Sequence, residues 1–213
     1  IWSHSKEELA TFDTIPFQLA IPWHYAAQKL GIAPVLTHAS VDLYNWKMID
    51  PNGVPELDNM HCIHTITGLL DEEWFYLIMT DIEKKGVVIL KSIISMILNK
   101  DVDNVICNMN VIKNVLNDMT RVLLRMKENC NPEVFYNILR PFLGGWKEKG
   151  LIYEGVSKEK LYFTGGSAAQ SSLFPCVDIV LGINHSDVFF KNIKEYMPVK
   201  HVEFIEYVGA NFN

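Results

Sequence analysis

The chain has 213 residues and a mass of 24.4 kDa, with 49% of them hydrophobic, 11% aromatic and 21% charged. That apolar content excludes a disordered chain, and the length suffices for one sizeable core or two small ones. The net charge of -6, from 19 basic and 25 acidic residues, argues against a nucleic-acid partner, which needs a concentrated basic face.

The four cysteines, Cys62, Cys107, Cys130 and Cys176, lie far apart and form no C-x-x-C pair, so a reducing, cytoplasmic setting is expected. No basic stretch followed by an apolar one opens the chain, and no secretory leader is expected; the first residue is Ile1, not Met. The longest apolar run, Gly86 to Leu98, is interrupted by Lys91 and Ser92 and falls short of the ~20 residues of a membrane span. It reads as a buried helix, and no membrane partner is expected.

In chain order, the first stretch is punctuated by Pro16, Pro22, Gly31 and Pro34 and ends at the turn signal Asp50-Pro51-Asn52-Gly53. Between the breaks, Trp23 to Leu30 and Ser40 to Met48 are each predicted as short helices. His61 to Thr67 alternates enough for a short strand. From Asp71 the pattern turns helical, with Trp74, Phe75, Leu77, Ile78 and Ile82 on one broad face and Asp71, Glu72 and Glu73 at a solvated start. Asn104 to Glu128 is the clearest helix, because Val105, Met109, Ile112, Leu116, Met119, Leu123 and Met126 step by three and four. Asn131-Pro132-Glu133 supplies a cap, a first-turn proline and an early acid for a new helix that stops at Gly144-Gly145. Pro141 should bend it near Arg140. Lys147 to Lys160 reads as surface, Leu173 to Ile183 as apolar and Asp187 to Tyr196 as amphipathic. The fold class expected is mainly α, with at most a minor strand pair.

Of the seven histidines only His61 and His64 cluster, and no second ligand pair lies beyond them, so no metal site is assigned. Hydrolase-elbow, zincin and P-loop patterns are absent from the sequence. Two places stand out. Arg140 sits in the apolar stretch Ile138-Leu139-Arg140-Pro141-Phe142-Leu143, where a partly desolvated guanidinium needs an anion. That anion is either a carboxylate ligand or one of the chain's own acids. The stretch Gly165-Gly166-Ser167-Ala168-Ala169-Gln170-Ser171-Ser172 offers hydroxyls and unhindered amides for an anionic group, or is an ordinary connection.

These residues carry a resemblance. Phe135 through Lys147, Leu151 to Val156, and the Gly165-to-Ser172 stretch with Asp178 and Leu181-Gly182-Ile183 resemble the indoleamine 2,3-dioxygenase family. The match continues through Pro34-Val35-Leu36, Asn45-Trp46-Lys47 and Asp50-Pro51-Asn52 and through Tyr196-Met197-Pro198. The resemblance implies part of a large helical haem-dioxygenase domain over residues 1–213, with most of the small N-terminal domain and the proximal-histidine helix outside this sequence. It implies haem b as cofactor, and L-tryptophan or a related indoleamine and dioxygen as partners. The implied reaction inserts O2 into the indole C2-C3 bond to give N-formylkynurenine.

Carried over by position, Arg140 would hold the substrate carboxylate, and Phe135, Phe75, Tyr76, Leu143 and His38 would shape the pocket. Ser167, with Gly166 and Ala168, would line the distal haem face near a propionate and the substrate ammonium, so that Ser167 touches substrate as well as cofactor, and Phe174 would pack near the porphyrin. No metal ligand is assigned, since neither His185 nor His201 aligns with the proximal histidine. His38 stands where mammalian members carry tyrosine, Asp42 at a usually apolar position, and Met79 in place of a polar pocket residue. Two alternatives stay open: an oxygen- or indole-binding haem protein without catalysis, and a truncated structural or interaction subunit.

Overall fold

The computed structural model of the protein describes residues 13–183 and 192–212. His4, His185 and the first half, 187–191, of the predicted amphipathic piece at 187–196 lie outside the described residues.

The apolar run at Gly86 is the second half of the longest helix, α2 (Leu70–Leu98), whose 29 residues span roughly 44 Å. Its buried residues include Trp74, Tyr76, Leu77, Ile78, Ile82, Ile89, Ile93 and Met96, so it runs through the main core. One expectation at its start fails: Glu72 is 1% exposed. The chain folds back just before the helix, and peptide groups buried there need an acceptor. Glu72 provides it, its carboxylate accepting from the Ile66 and Thr67 amides at 2.7 and 2.6 Å and from the Thr67 hydroxyl at 2.6 Å. Glu73 is half-buried and accepts from the Cys62 amide at 2.9 Å.

The predicted helix at Asn104 appears as α3 (Val102–Leu124), lying along α2 and followed by the short α4 (Met126–Asn129). Its cap is Asp101, whose side chain accepts from the Asp103 and Asn104 amides. The turn between α3 and α4 is held to α2 by the Trp74 indole, which donates to the Arg125 carbonyl at 2.9 Å. Helix α7 (Leu173–Leu181) and the C-terminal helix α8 (Val199–Phe212) pack on each other and on α2.

The first quarter departs further from expectation. Helix α1 (Phe17–Leu30) starts earlier than predicted, directly after Pro16, and carries Pro22 inside. Ser40 to Met48 is not a helix: it is a π-helical turn (Ala39–Leu43) followed by strand β2 (Trp46–Met48). The Asp50–Gly53 turn reverses the chain, and the Asn59 side chain accepts from the Asp50 amide at 2.8 Å, so β2 pairs antiparallel with β3 (Met60–Cys62). A second small sheet joins distant segments. In it β1 (Thr14–Ile15) runs parallel to β4 (Leu151–Tyr153), which pairs antiparallel with β5 (Lys160–Leu161). Tyr153 on β4 is fully buried against Trp23, Trp146 and Phe163, and its hydroxyl donates to the Pro34 carbonyl at 2.5 Å. The segment read as surface is therefore partly a clamp on the N-terminal quarter. The fold is mainly α with small strand pairs. Among the described residues no helix is long and apolar enough to cross a membrane.

Candidate functional site

Two wide turns build the site. After the Asn131 cap, which accepts from the Glu133 amide at 2.8 Å, the chain runs as α5 (Pro132–Val134), a π-helical turn (Phe135–Leu139) and α6 (Arg140–Leu143). Pro141 has no N–H to give the carbonyl four residues back, and its ring crowds that carbonyl. The widened turn takes up this defect: the Arg140 amide donates to the Phe135 carbonyl five residues back. In the other wide turn, Ala39–Leu43, the Tyr44 amide donates to the Ala39 carbonyl at 3.1 Å.

These turns face each other across a cavity of about 220 Å³, lined by Val41, Asp42, Phe75, Met79, Phe135, Arg140, Leu143, Gly166, Ser167 and Ala168. Of the residues singled out in the sequence, Phe75, Phe135, Arg140, Leu143, Gly166, Ser167 and Ala168 thus come together. Phe75 and Phe135 touch, with ring centroids 4.7 Å apart and planes tilted by 43°. The other three do not line it. Tyr76 is buried behind Phe75, His38 lies behind Asp42, and Phe174, on the first turn of α7, is 39% exposed. Consecutive helix positions point in different directions, which is why Tyr76 cannot share the cavity with Phe75. Its phenol is pushed well above the ordinary range, by burial and then by the nearby Glu72 and Asp42.

Arg140 is exposed at the mouth, contrary to the partial desolvation expected from its apolar neighbours. The π turn carries it off the packed side, while Leu139 and Leu143 stay buried. Among the described residues no carboxylate lies within ion-pair distance of it, so no described acid neutralises it.

The opposite end of the cavity is buried and charged. His38 is 1% exposed, with Nδ1 2.6 Å from Asp42 Oδ2 and Nε2 2.9 Å from Glu83 Oε1. Desolvation pulls the His38 pKa down, but the hydrogen bonds and charges of Asp42 and Glu83 outweigh it and raise it to about 9. The imidazole is therefore an imidazolium at neutral pH. Asp42 is raised by burial, against the pull of His38. Its Oδ1 is buried without a hydrogen-bond partner. Gln170 fixes the segment by accepting from the His38 amide at 2.9 Å and donating to the Gly165 carbonyl at 2.8 Å. The spacing of His38 and Asp42, four residues in one turn, was visible in the sequence; Glu83 comes from α2 and was not.

The two adjacent glycines differ. A Cβ on Gly165 would run into the Leu143 carbonyl, so packing within the chain demands glycine. A Cβ on Gly166 would meet nothing nearer than 3.6 Å, so its bareness leaves room at the cavity. Ser167 is exposed, and its hydroxyl accepts from the Ala169 amide at 3.3 Å. Among the described residues no group of three or more His, Cys, Asp and Glu side chains is arranged to hold a metal ion, and Cys62, Cys107, Cys130 and Cys176 are free thiols. A second hollow, of about 420 Å³ between α2 and α8, is lined by Ser172, His201 and mainly apolar neighbours and holds none of the predicted site residues.

Comparison with known proteins bears on this site. The chain is 33% identical over 217 residues to indoleamine 2,3-dioxygenase 2 of Homo sapiens, covering 97% of this chain and 53% of that protein. It is 29% identical over 224 residues to indoleamine 2,3-dioxygenase 1 of Mus musculus, covering 99% and 54%. Against the indoleamine 2,3-dioxygenase of Saccharomyces cerevisiae it is 33% identical over 232 residues, covering 94% and 51%. The chain spans about half the length of the curated relatives it matches. The family model for indoleamine 2,3-dioxygenase matches residues 1–213, and with it the cavity residues on both wide turns: this chain belongs to the indoleamine 2,3-dioxygenase family.

Proposed function

We propose that this chain forms the substrate-facing part of a haem-dependent dioxygenase that cleaves the indole C2-C3 bond of L-tryptophan, giving N-formylkynurenine. The observation that carries the reading is Arg140: a guanidinium without an acidic partner among the described residues, at the mouth of a cavity walled by Phe75, Phe135, Leu143 and Met79. An aromatic amino acid matches that arrangement, with a carboxylate for the guanidinium and a flat ring for the walls.

Haem is the cofactor the resemblance implies, and the residues present fit one face of it. Gly166 is bare without needing to be for packing, Ser167 and Ala168 are exposed, and Phe174 is 39% exposed. A flat macrocycle would find small and aromatic contacts there. His38 is not free to serve as its iron ligand, because it is tied between two carboxylates. When bound, haem would supply the activation of dioxygen. The protein's own residues orient. Arg140 would hold the carboxylate in a bidentate grip, Phe135 and Phe75 would fix the plane of the ring, and Leu143 and Met79 would keep water from its buried edge.

The test is reconstitution of the full gene product with haemin, reduction, and assay for N-formylkynurenine from L-tryptophan and O2. Arg140→Ala should raise KM roughly ten- to hundred-fold, the value of a charge-assisted hydrogen-bond pair. An unchanged KM would overturn the clamp. Haem and tryptophan binding without product would leave a binding protein.

A further inference from the structure

The buried end of the cavity carries a group that the amino-acid reading does not use. Asp42 lines the cavity and is 3% exposed. One carboxyl oxygen, Oδ2, is taken by His38, which Glu83 holds from its other side. The main-chain carbonyl of Asp42 is bound as well, accepting from the Thr80 hydroxyl at 2.8 Å. Only Oδ1 has no partner. A buried acceptor left unmade is costly, and this one is held in place by a rigid, charged pair.

Position decides what could satisfy it. Arg140 is exposed at the mouth, whereas Asp42 is at the buried end. In an α-amino acid the ammonium and carboxylate share one carbon, so a ligand whose carboxylate sits on Arg140 keeps its ammonium near the mouth too. What reaches the buried end is the ring. We propose that Asp42 is a specificity-determining residue whose Oδ1 accepts a hydrogen bond from a ring-borne N–H or O–H of the ligand, with His38 and Glu83 as positioning residues. The site then selects indoles, or ring-hydroxylated indoles, over aromatic amino acids of the same shape that lack a ring donor. This rests on the reading of the cavity as an aromatic amino-acid site.

Apolar walls discriminate poorly between rings of equal size, whereas an unpaired buried acceptor rejects a ligand that cannot fill it. Asp42→Val is the informative change, because it removes the acceptor outright; an asparagine amide could turn either its oxygen or its NH2 toward the place of Oδ1, since losing the carboxylate also removes a main cause of the raised His38 pKa.

The experiment measures dissociation constants on the full haem-loaded protein for L-tryptophan, its benzothiophene analogue, in which sulfur replaces the N–H, and 5-hydroxy-L-tryptophan. The wild type should prefer at least one ring donor, N–H over sulfur or hydroxyl over hydrogen, by roughly ten-fold or more. The comparison that shows the preference identifies the donor. In Asp42→Val that preference should fall below about two-fold, while the benzothiophene analogue binds Asp42→Val at least as well as wild type. A wild type with neither preference overturns the proposal even if the variant fails to fold, and so does a preference that survives the substitution. Arg140→Ala run in parallel separates the two readings. If it weakens all three ligands while Asp42→Val leaves their ratios untouched, the amino-acid site stands and the role of Asp42 falls.

Discussion

The two ends of the cavity solve the problem of charge in opposite ways. At the mouth Arg140 is exposed and without an acidic partner among the described residues, so water carries its charge and a ligand can compete for it at little cost. At the buried end His38 stands between Asp42 and Glu83, with side chains 1%, 5% and 12% exposed, and only Asp42 Oδ1 is left over. There the charges must satisfy one another, because water cannot. The contrast teaches that charge at the mouth serves binding alone and can be altered without unfolding the protein, whereas a change at the buried end costs stability along with any contact made to a ligand there.

The sharpest way to break that contrast is His38→Leu. It leaves Asp42 and Glu83 facing each other without a cation, and unfolding free energy should fall by about 3–5 kcal/mol in denaturant titration. A loss under about 1 kcal/mol would mean the buried end is not held by charge. Arg140→Ala, by contrast, should leave the unfolding free energy within about 0.5 kcal/mol of wild type even as it weakens ligand binding.

The next effect is a pH dependence. His38 has a folded pKa of about 9, raised above the ordinary 6.5, so the folded state holds its proton more tightly than the unfolded chain. Its stabilisation is fully present below pH 6.5 and is lost as pH rises through about 9. The loss is worth up to about 3 kcal/mol. The groups acting on His38 are Asp42 in its own turn and Glu83 on α2, while His201 on α8 lies close enough to feel its charge. Thermal unfolding between about pH 6 and about pH 10 should show a decline in wild type that is much flatter in His38→Leu; parallel curves would refute the assignment.

The smallest effect compares neighbours. Gly165→Ala should cost about 1–3 kcal/mol, because its methyl collides with the Leu143 carbonyl, whereas Gly166→Ala should be within about 0.5 kcal/mol of wild type. Equal losses at both would mean that packing, and not a bound group, keeps Gly166 bare.

Local signals in the sequence were legible wherever the physics is local. The Asn131 cap and the proline after it, the apolar stripe of α3 and the turn at Asp50-Pro51-Asn52-Gly53 are settled by residues within one turn of each other. The motifs around Arg140 and Ser167 led to six of the cavity's lining residues, and the resemblance upstream led to Phe75, but neither led to the exposure of Arg140, which depends on the π turn. Glu72 was misread because an acid at a helix start is usually solvated, and only the fold-back of Ile66 and Thr67 makes it an internal acceptor. The parallel pairing of Thr14 with Ile152 could not be read at all, since nothing local in either short segment marks the other. Glu83 escaped for the same reason: its partner His38 lies 45 positions away.

The π-helical turns have a consequence for how this site can change by insertion and deletion. Each holds one residue more than a regular turn would. Removing a single residue from within Phe135–Leu139 would let that segment relax to an ordinary α-helix, and because the wide turn is under-wound by about the 100° of one residue, Arg140 and Leu143 downstream would keep nearly the same facing. Phe135 and Arg140, five apart across the wide turn, would then stand four apart on one helical face. The same compensation applies to Ala39–Leu43. A lineage could gain or lose one codon in either turn while the residues on both sides of it keep facing the cavity.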